Sequence, residues 1–150
     1  MEIDTQQYEN LVPKDVQEKA KRLDEVDTLL MKSVLERRFL PEEELKYLLT
    51  EVTALYSSFT KLHYTFYAIT QSEETAFYKQ KKDEFTARGE KFVSAPVERE
   101  ASYYVRTVEY LSTFYEGQMY RAESLMNTTK RLMNGKDEKH TAWAESKEEK

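Results

Sequence analysis

The chain has 150 residues, about the length of one domain. Charged residues make up 34% of it, and 28 acidic against 23 basic residues give a formal net charge of −5. The absence of cysteine excludes disulfides, zinc–thiolate sites and a thiol nucleophile. No apolar run approaches the roughly 20 residues that cross a bilayer. Because the first ten residues are too acidic and polar for a signal peptide, we expect a soluble, cytoplasmic protein without a membrane role.

The composition favours a folded protein with long helices. Tyr, Phe and Trp together make up 13% of the chain, whereas disordered chains are poor in aromatic residues. Glycine and proline number only three each, so turns are scarce. Each proline precedes a long stretch of helix formers, where a missing N–H costs nothing. We therefore predict helical segments at roughly 13–38, 41–88 and 95–134, and no strand, because apolar and polar residues do not alternate.

Glycines mark the predicted ends of the second and third segments. Gly89 and Gly135 follow them, at the place where a residue in the left-handed conformation commonly ends a helix. Residues 136–150 lack apolar periodicity, so we expect a charged, disordered tail. Residues 1–40 are then an N-terminal extension that contains the first helix, and residues 41–135 are the helical core.

The second segment carries a heptad seam, in which apolar residues recur at alternating spacings of three and four over 25 residues. Its members are Leu45, Leu48, Val52, Leu55, Phe59, Leu62, Phe66 and Ile69. The pattern stops after Ile69, where either a new helix start near Thr70 or an uninterrupted helix fits the sequence. A helix can bury such a seam only against other helices.

The third segment has a wider apolar stripe, which suits a helix with two neighbours. The positions in it that we assign to oligomerisation are Val108, Leu111, Tyr115, Leu125 and Leu132. A helix over 41–88 would be about 72 Å long, whereas a compact domain of this length has a radius of gyration near 15 Å. We therefore predict an all-α, elongated hairpin or bundle of long helices that self-associates through its seam. A hairpin of the second and third segments that closes on itself is the alternative.

No arrangement of residues points to catalysis. A phosphate-binding loop needs clustered glycines, and the three glycines of this chain are isolated. The two histidines are far apart, and His63, beside the seam, is expected to be a partly buried interface residue rather than a metal ligand. We therefore expect a protein that is not an enzyme and that has no cofactor and no metal site.

One stretch, residues 77–92, combines cations with aromatic rings. Its five basic residues (Lys79, Lys81, Lys82, Arg88 and Lys91) meet three acids, and its four rings are Phe77, Tyr78, Phe85 and Phe92. Single-stranded nucleic acid binds such surfaces because cations follow the phosphates and rings stack on the bases. The alternative is a mixed-charge helix end with inward-packed rings, since basic residues are favoured near a helix C-terminus.

Two blocks of sequence resemble the UvsY recombination mediators of T4-like bacteriophages. The first is Leu45-Lys46-Tyr47 followed by Leu55-Tyr56-Ser57, Phe59 and His63, similar to Leu-x-Tyr … Leu-Tyr-Ser-x-Trp … His in the family. The second, residues 79–89, is similar to the family segment Lys-x-Arg-x-Asp-aromatic-aromatic-Ser-Gly-Arg-Gly, which is implicated in single-stranded DNA binding. Within it Lys81, Glu84 and Ala87 replace an arginine, an aromatic residue and a glycine. The resemblance covers roughly 40–135.

The resemblance implies a non-enzymatic helical protein of the host cell cytoplasm that assembles into a ring of roughly six or seven subunits. Such a protein binds single-stranded DNA coated by a single-strand-binding protein and loads a RecA-like recombinase onto it. The residues expected on phosphates are Lys79, Lys81, Lys82, Arg88 and Lys91, and Tyr78 and Phe85 are expected to stack on bases. The rival interpretation is a helical oligomeric scaffold or adaptor that has no role with nucleic acid.

Overall fold

The computed structural model describes residues 11–148, and side chains over 11–135. The described residues form four α-helices and no β-strand, which confirms the all-α class. The helices are α1 (Lys14–Leu35), α2 (Glu42–Ala87), α3 (Ser94–Tyr104) and α4 (Arg106–Glu148). Residues 1–10 of the predicted N-terminal extension and residues 149–150 of the predicted tail lie outside the described residues.

The prolines lie at helix starts, as the sequence predicts. Pro13 is the N-cap of α1, and the carbonyl of Pro41 accepts a hydrogen bond of 3.0 Å from the amide of Leu45 in the first turn of α2. Pro96 is the third residue of α3. Three glutamates occupy the first turn of α2, where negative charge complements the helix dipole. Helix α2 then continues for 46 residues without a new start near Thr70.

The third predicted segment differs from the structure in its interior and at its C-terminal end. Val105 (φ −91°, ψ 3°) divides it into α3 and α4, because this buried residue leaves the helical region for one position. Helix α4 passes through Gly135 and ends at Glu148, so Gly135 is not a helix terminator. Residues 136–148, for which the sequence predicts a disordered tail, are helical in their backbone.

The chain divides into two compact units, and both α2 and α4 contribute residues to each. The three-helix unit comprises Pro13–Ser58 and residues 118–148, and therefore contains α1, the first part of α2 and the second part of α4. The aromatic unit comprises Phe59–Gly117 with residues 11–12, and contains the second part of α2, the turn after it, α3 and the start of α4.

Apolar residues at heptad spacing build the core of the three-helix unit. The buried residues are Val16, Leu23, Val26 and Leu30 from α1, Leu45, Leu48, Val52 and Leu55 from α2, and Met119, Ala122 and Leu125 from α4. Full burial of one such large aliphatic side chain stabilises a fold by about 1.5–3 kcal/mol. The first helix, which the sequence assigned to an extension, is thus one of three helices that share a core.

Two arginines link α1 to its neighbours in this unit. Arg22 donates to both carboxylate oxygens of Glu51 on α2, the second at 3.0 Å, and this hydrogen bonding raises the pKa of Arg22. Arg121 on α4 reaches Asp24 and Asp27 of α1. Because these groups are partly exposed, each pair contributes at most about 1 kcal/mol. The register of α1 against α2 and α4 therefore depends mainly on its buried apolar residues, and these ion pairs are consistent with it.

Most positions assigned to oligomerisation lie inside the subunit. On α2, five of the eight are buried (Leu45, Leu48, Val52, Leu55 and Phe59), Leu62 and Phe66 are half-buried, and Ile69 is exposed. On α4, Leu111, Tyr115 and Leu125 are buried, and Val108 and Leu132 are half-buried. The chain's own helices cover the seam up to Phe59, so this part of it serves as core rather than as free assembly surface.

Phe59 and Ile69 should therefore respond differently to truncation. Phe59 is 0% exposed and Ile69 is 40% exposed, although both are seam positions. We expect Phe59→Ala to lower the free energy of unfolding by about 3–5 kcal/mol, because it leaves a cavity. Ile69→Ala should change it by less than about 1 kcal/mol. Urea unfolding followed by circular dichroism measures both, and equal losses would contradict the assignment of Phe59 to the core.

Helix α1 ends in a Schellman motif that lacks glycine. The amide of Arg37 donates to the carbonyl of Val34 (3.3 Å) and the amide of Arg38 to that of Ser33 (3.1 Å), with Arg37 at φ 51°. A side chain in this left-handed region costs about 1–2 kcal/mol.

Arg37→Gly should therefore stabilise the protein. The free energy of unfolding should rise by up to about 1 kcal/mol. Glycine removes the strain of the left-handed conformation, but it loses more backbone entropy on folding, which limits the gain. Arg38→Gly is the matched control, since Arg38 has no positive φ and should gain nothing. The urea midpoints of the two variants measure the difference in stability. A destabilised Arg37→Gly variant would refute the assignment of backbone strain to Arg37.

Candidate nucleic-acid interface

Gly89 ends α2 in the left-handed conformation that the sequence predicts. Its φ is 66°, its amide donates to the carbonyl of Thr86 (3.1 Å), and the amide of Glu90 donates to that of Phe85 (3.0 Å). These two bonds are the Schellman pair. The chain therefore leaves the helix axis directly after Arg88, and the following residues return to the side of α2.

Phe92, in the turn after Gly89, packs against two rings of α2. Its ring centroid lies 5.5 Å from that of Tyr78 and 5.9 Å from that of Phe85, and both contacts are edge-to-face, at 87° and 80°. All three rings are half-buried. We call them the ring cluster. Tyr78 and Phe85, which the sequence assigned to base stacking, are thus members of an internal aromatic contact that ties the turn to the helix.

Cations lie over the rings of this region. The guanidinium of Arg88 is 5.1 Å from the centroid of Phe85, and the Nζ of Lys82 is 6.0 Å from that of Phe92. A cation over a ring at an exposed site contributes about 0.5–1 kcal/mol. Lys82 and Arg88 are therefore held near the ring cluster while their charged groups stay in water.

The five predicted phosphate ligands differ in availability. Lys81 is half-buried and forms an ion pair of 3.5 Å with Glu84. The other four, Lys79, Lys82, Arg88 and Lys91, are exposed and form no ion pair with any described residue. We call these four residues the cationic surface. It presents four positive charges in a chain whose net charge is −5, and the exposed acids Asp83 and Glu90 lie in the same stretch of sequence.

Helix α3 brings further aromatic residues to this part of the aromatic unit. Tyr104 stacks on Phe77 of α2, with centroids 4.9 Å apart and an angle of 22° between the rings. These two residues, with Arg99, Glu100 and Tyr103, line an open groove of ≈ 410 Å³. We call it the tyrosine groove. The sequence predicts one continuous helix over 95–134, whereas the break at Val105 makes Tyr103 and Tyr104 the last two residues of α3.

His63 occupies a structural position in the same unit. It is buried, and its Nδ1 donates a hydrogen bond of 3.0 Å to the carbonyl of Ser112 on α4. Its Nε2 lies 3.9 Å from a carboxylate oxygen of Glu116. Over the side chains that the structure describes, no three potential metal ligands come together. None of the helices within residues 11–148 has an apolar stretch of the length that a bilayer requires.

Comparison with protein-family models, with curated proteins and with solved structures found no match to this chain. The likeness to the UvsY mediators therefore depends on the two sequence blocks. Phe59 and His63 of the first block are buried in the aromatic unit. The second block forms the last turns of α2 and its cap at Gly89.

Alanine substitutions at two glycines should have opposite effects. An added Cβ would meet no atom within 4 Å at either Gly89 or Gly117, so the backbone conformation alone decides how each substitution changes stability. We expect Gly89→Ala to lower stability, because its positive φ costs an alanine about 1–2 kcal/mol. Gly117→Ala, inside α4, should raise stability by about 0.5–1 kcal/mol. Thermal melting compares the pair, and a shift of the same sign in both would contradict the cap.

Proposed function

We propose that this protein binds single-stranded DNA through the cationic surface and acts as a recombination mediator. In that role it assists a RecA-like recombinase to load onto strands that a single-strand-binding protein coats. The observation that carries the proposal is a set of four exposed cations without an ion pair to any described residue, two of which, Lys82 and Arg88, lie over rings of the ring cluster. Single strands bind surfaces of this kind through their phosphates and the faces of their bases.

The charge of the rest of the chain is compatible with binding. Beyond about 8 Å at physiological salt, acidic residues elsewhere are largely screened from the cationic surface. The C-terminal end of a helix carries a partial negative charge, which by itself disfavours phosphate. The four cations offset it, and the ring cluster holds two of them in place. Binding should consequently be electrostatic and strongly dependent on salt.

The mediator role rests on the likeness to the UvsY family. A mediator contributes no catalysis, and the ATPase belongs to its recombinase partner. In a homo-oligomeric ring, of roughly six or seven subunits in that family, the cationic surface would be repeated around an axis. Linked weak sites gain avidity without any new contact, so a modest surface on each subunit would suffice to hold a strand.

A second candidate is a helical scaffold or adaptor that assembles with other helices. Met31, Val34 and Leu35 are exposed apolar residues spaced three and four apart on the last turns of α1, and therefore share one face. A helical partner could cover that face. This surface belongs to the three-helix unit and contains no member of the cationic surface.

Removing cations should weaken DNA binding and flatten its salt dependence. For single strands the slope of log K against log salt is about −0.7 per phosphate neutralised. Replacing Lys79, Lys82 and Lys91 together by Ala should therefore lower the affinity and make the slope shallower by about 2, if each contacts one phosphate. Fluorescence anisotropy with a labelled single strand over a salt series measures both quantities.

The control is the variant with Lys21, Lys32 and Lys130 replaced by Ala. These lysines are also exposed and form no ion pair within the described part of the chain, but they lie in the three-helix unit. The control keeps the total charge of the test variant and should bind with nearly the original affinity and slope. Equal loss in both variants would mean nonspecific charge attraction, and no loss in either would favour the scaffold.

A further inference from the structure

We propose that the tyrosine groove holds one unpaired base of the bound single strand, stacked against Tyr103 and Tyr104. The inference rests on the proposed function and adds a specific site to it. It replaces the sequence-based assignment of stacking to Tyr78 and Phe85, whose rings contact Phe92 in the ring cluster.

The exposed tyrosines provide the stacking surface. Tyr103 is 72% exposed and Tyr104 is 59% exposed, and they are neighbours in the last turn of α3. Phe77 lies against Tyr104 in a nearly parallel stack, at 22°, which fixes the tilt of the tyrosine ring from the side of α2. A ring that is already oriented loses little freedom when a base stacks on it.

The charges at the groove suit a base better than a phosphate. Arg99 and Glu100 line it with one positive and one negative group, so its lining is neutral overall. A nucleobase is neutral as well, and its edge carries both hydrogen-bond acceptors, which arginine recognises, and amino donors, which glutamate recognises. Phosphates, by contrast, find unpaired cations in the same unit, on the cationic surface.

The groove is large enough for a base, and residues of the cationic surface lie near it along α2. Its volume of ≈ 410 Å³ lies in the range of pockets for small planar molecules. Phe77 of the groove precedes Lys79 and Lys82 by about 3 and 8 Å along the axis of α2, but at about 100° per residue both lysines lie on the opposite face of the helix. Lys81, one turn from Phe77, holds its Nζ 5.5 Å from that ring. Arg88, about 16 Å from Phe77 along the axis, shares the face of that residue. A strand with a base in the groove can therefore place a phosphate on Arg88 and has to bend around α2 to reach Lys79 and Lys82.

The test compares two double variants and one single variant of exposed tyrosines. Tyr103→Leu with Tyr104→Leu keeps apolar bulk but removes both aromatic faces. The same pair changed to Phe keeps the faces and serves as the rescue. Tyr47→Leu is the matched control, because Tyr47 is 68% exposed and lies in the three-helix unit. Affinity for a labelled single strand is measured over a salt series, together with helicity and melting temperature.

We expect the Leu pair to bind about 5- to 150-fold more weakly, which corresponds to the loss of one stacked base. Its salt slope should be unchanged, because stacking releases no counterions. The Phe pair and Tyr47→Leu should bind like the unaltered protein. In addition, a strand carrying iodouracil should crosslink to Tyr103 or Tyr104 of the unaltered protein on irradiation. Peptide mapping by mass spectrometry would identify the crosslinked residue.

The outcomes separate the groove from the proposed function. If the Leu pair is folded and binds like the unaltered protein, or if crosslinks map only outside the groove, the groove is not a base site. If the lysine variant nevertheless loses affinity, the proposed DNA binding by the cationic surface stands and only the base site in the groove is refuted. The groove would then be assigned to a protein partner. If the unaltered protein binds no single strand at low salt, both proposals fail together.

Discussion

Helix α2 imposes the constraint on which the rest of the structure depends. A helix of 46 residues that carries an apolar residue at every third or fourth position from Leu45 to Ile69 cannot remain exposed in water. Helical propensity alone is weak, so the burial of this stripe has to supply most of the stability. The first part of α2 shares the core of the three-helix unit with α1 and α4, and Phe59 and His63 continue its buried positions in the aromatic unit.

The helices that cover the seam decide whether its residues serve as core or as an assembly surface. A heptad pattern by itself does not distinguish an intramolecular partner helix from another subunit. Here α1 takes one of those partner positions, and the ion pairs of Arg22 and Arg121 are consistent with that placement. Self-association, which the proposed mediator role requires, would therefore use surfaces other than the buried part of the seam. Exposed apolar residues such as Leu35 and Ile69 are available for it.

The candidate interface depends on a sharp helix end. Gly89 closes α2 with two backbone hydrogen bonds, and Phe92 then packs on Tyr78 and Phe85. The rings that composition alone would assign to DNA thus stabilise the turn, and the cations around them remain in solvent. In the proposed role such a surface separates two tasks, because the half-buried rings order the turn and the exposed cations attract the strand. The tyrosine groove of α3 adds the open aromatic faces that the ring cluster does not offer.

Several features of this protein could be read from local sequence. The all-α class follows from helix-forming stretches after Pro13, Pro41 and Pro96, and the end of α2 follows from Gly89, because capping chemistry acts within a few residues. Phe59 could be placed on a buried stripe by its spacing. The cationic residues of 77–92 could be recognised from composition. The ion pair of Lys81 with Glu84 is local as well, since residues three apart on a helix are neighbours.

Sequence by itself determined the helices, the heptad stripe of α2 and the position of the cationic stretch, because each depends on neighbours along the chain. Tertiary structure decided the rest. It made α1 a member of a core, divided the third segment at the buried Val105 and brought Tyr104 onto Phe77. The physical reason is that burial and ring stacking depend on residues far apart in sequence: the 26 positions between Phe77 and Tyr104 carry no local signal that the two rings meet.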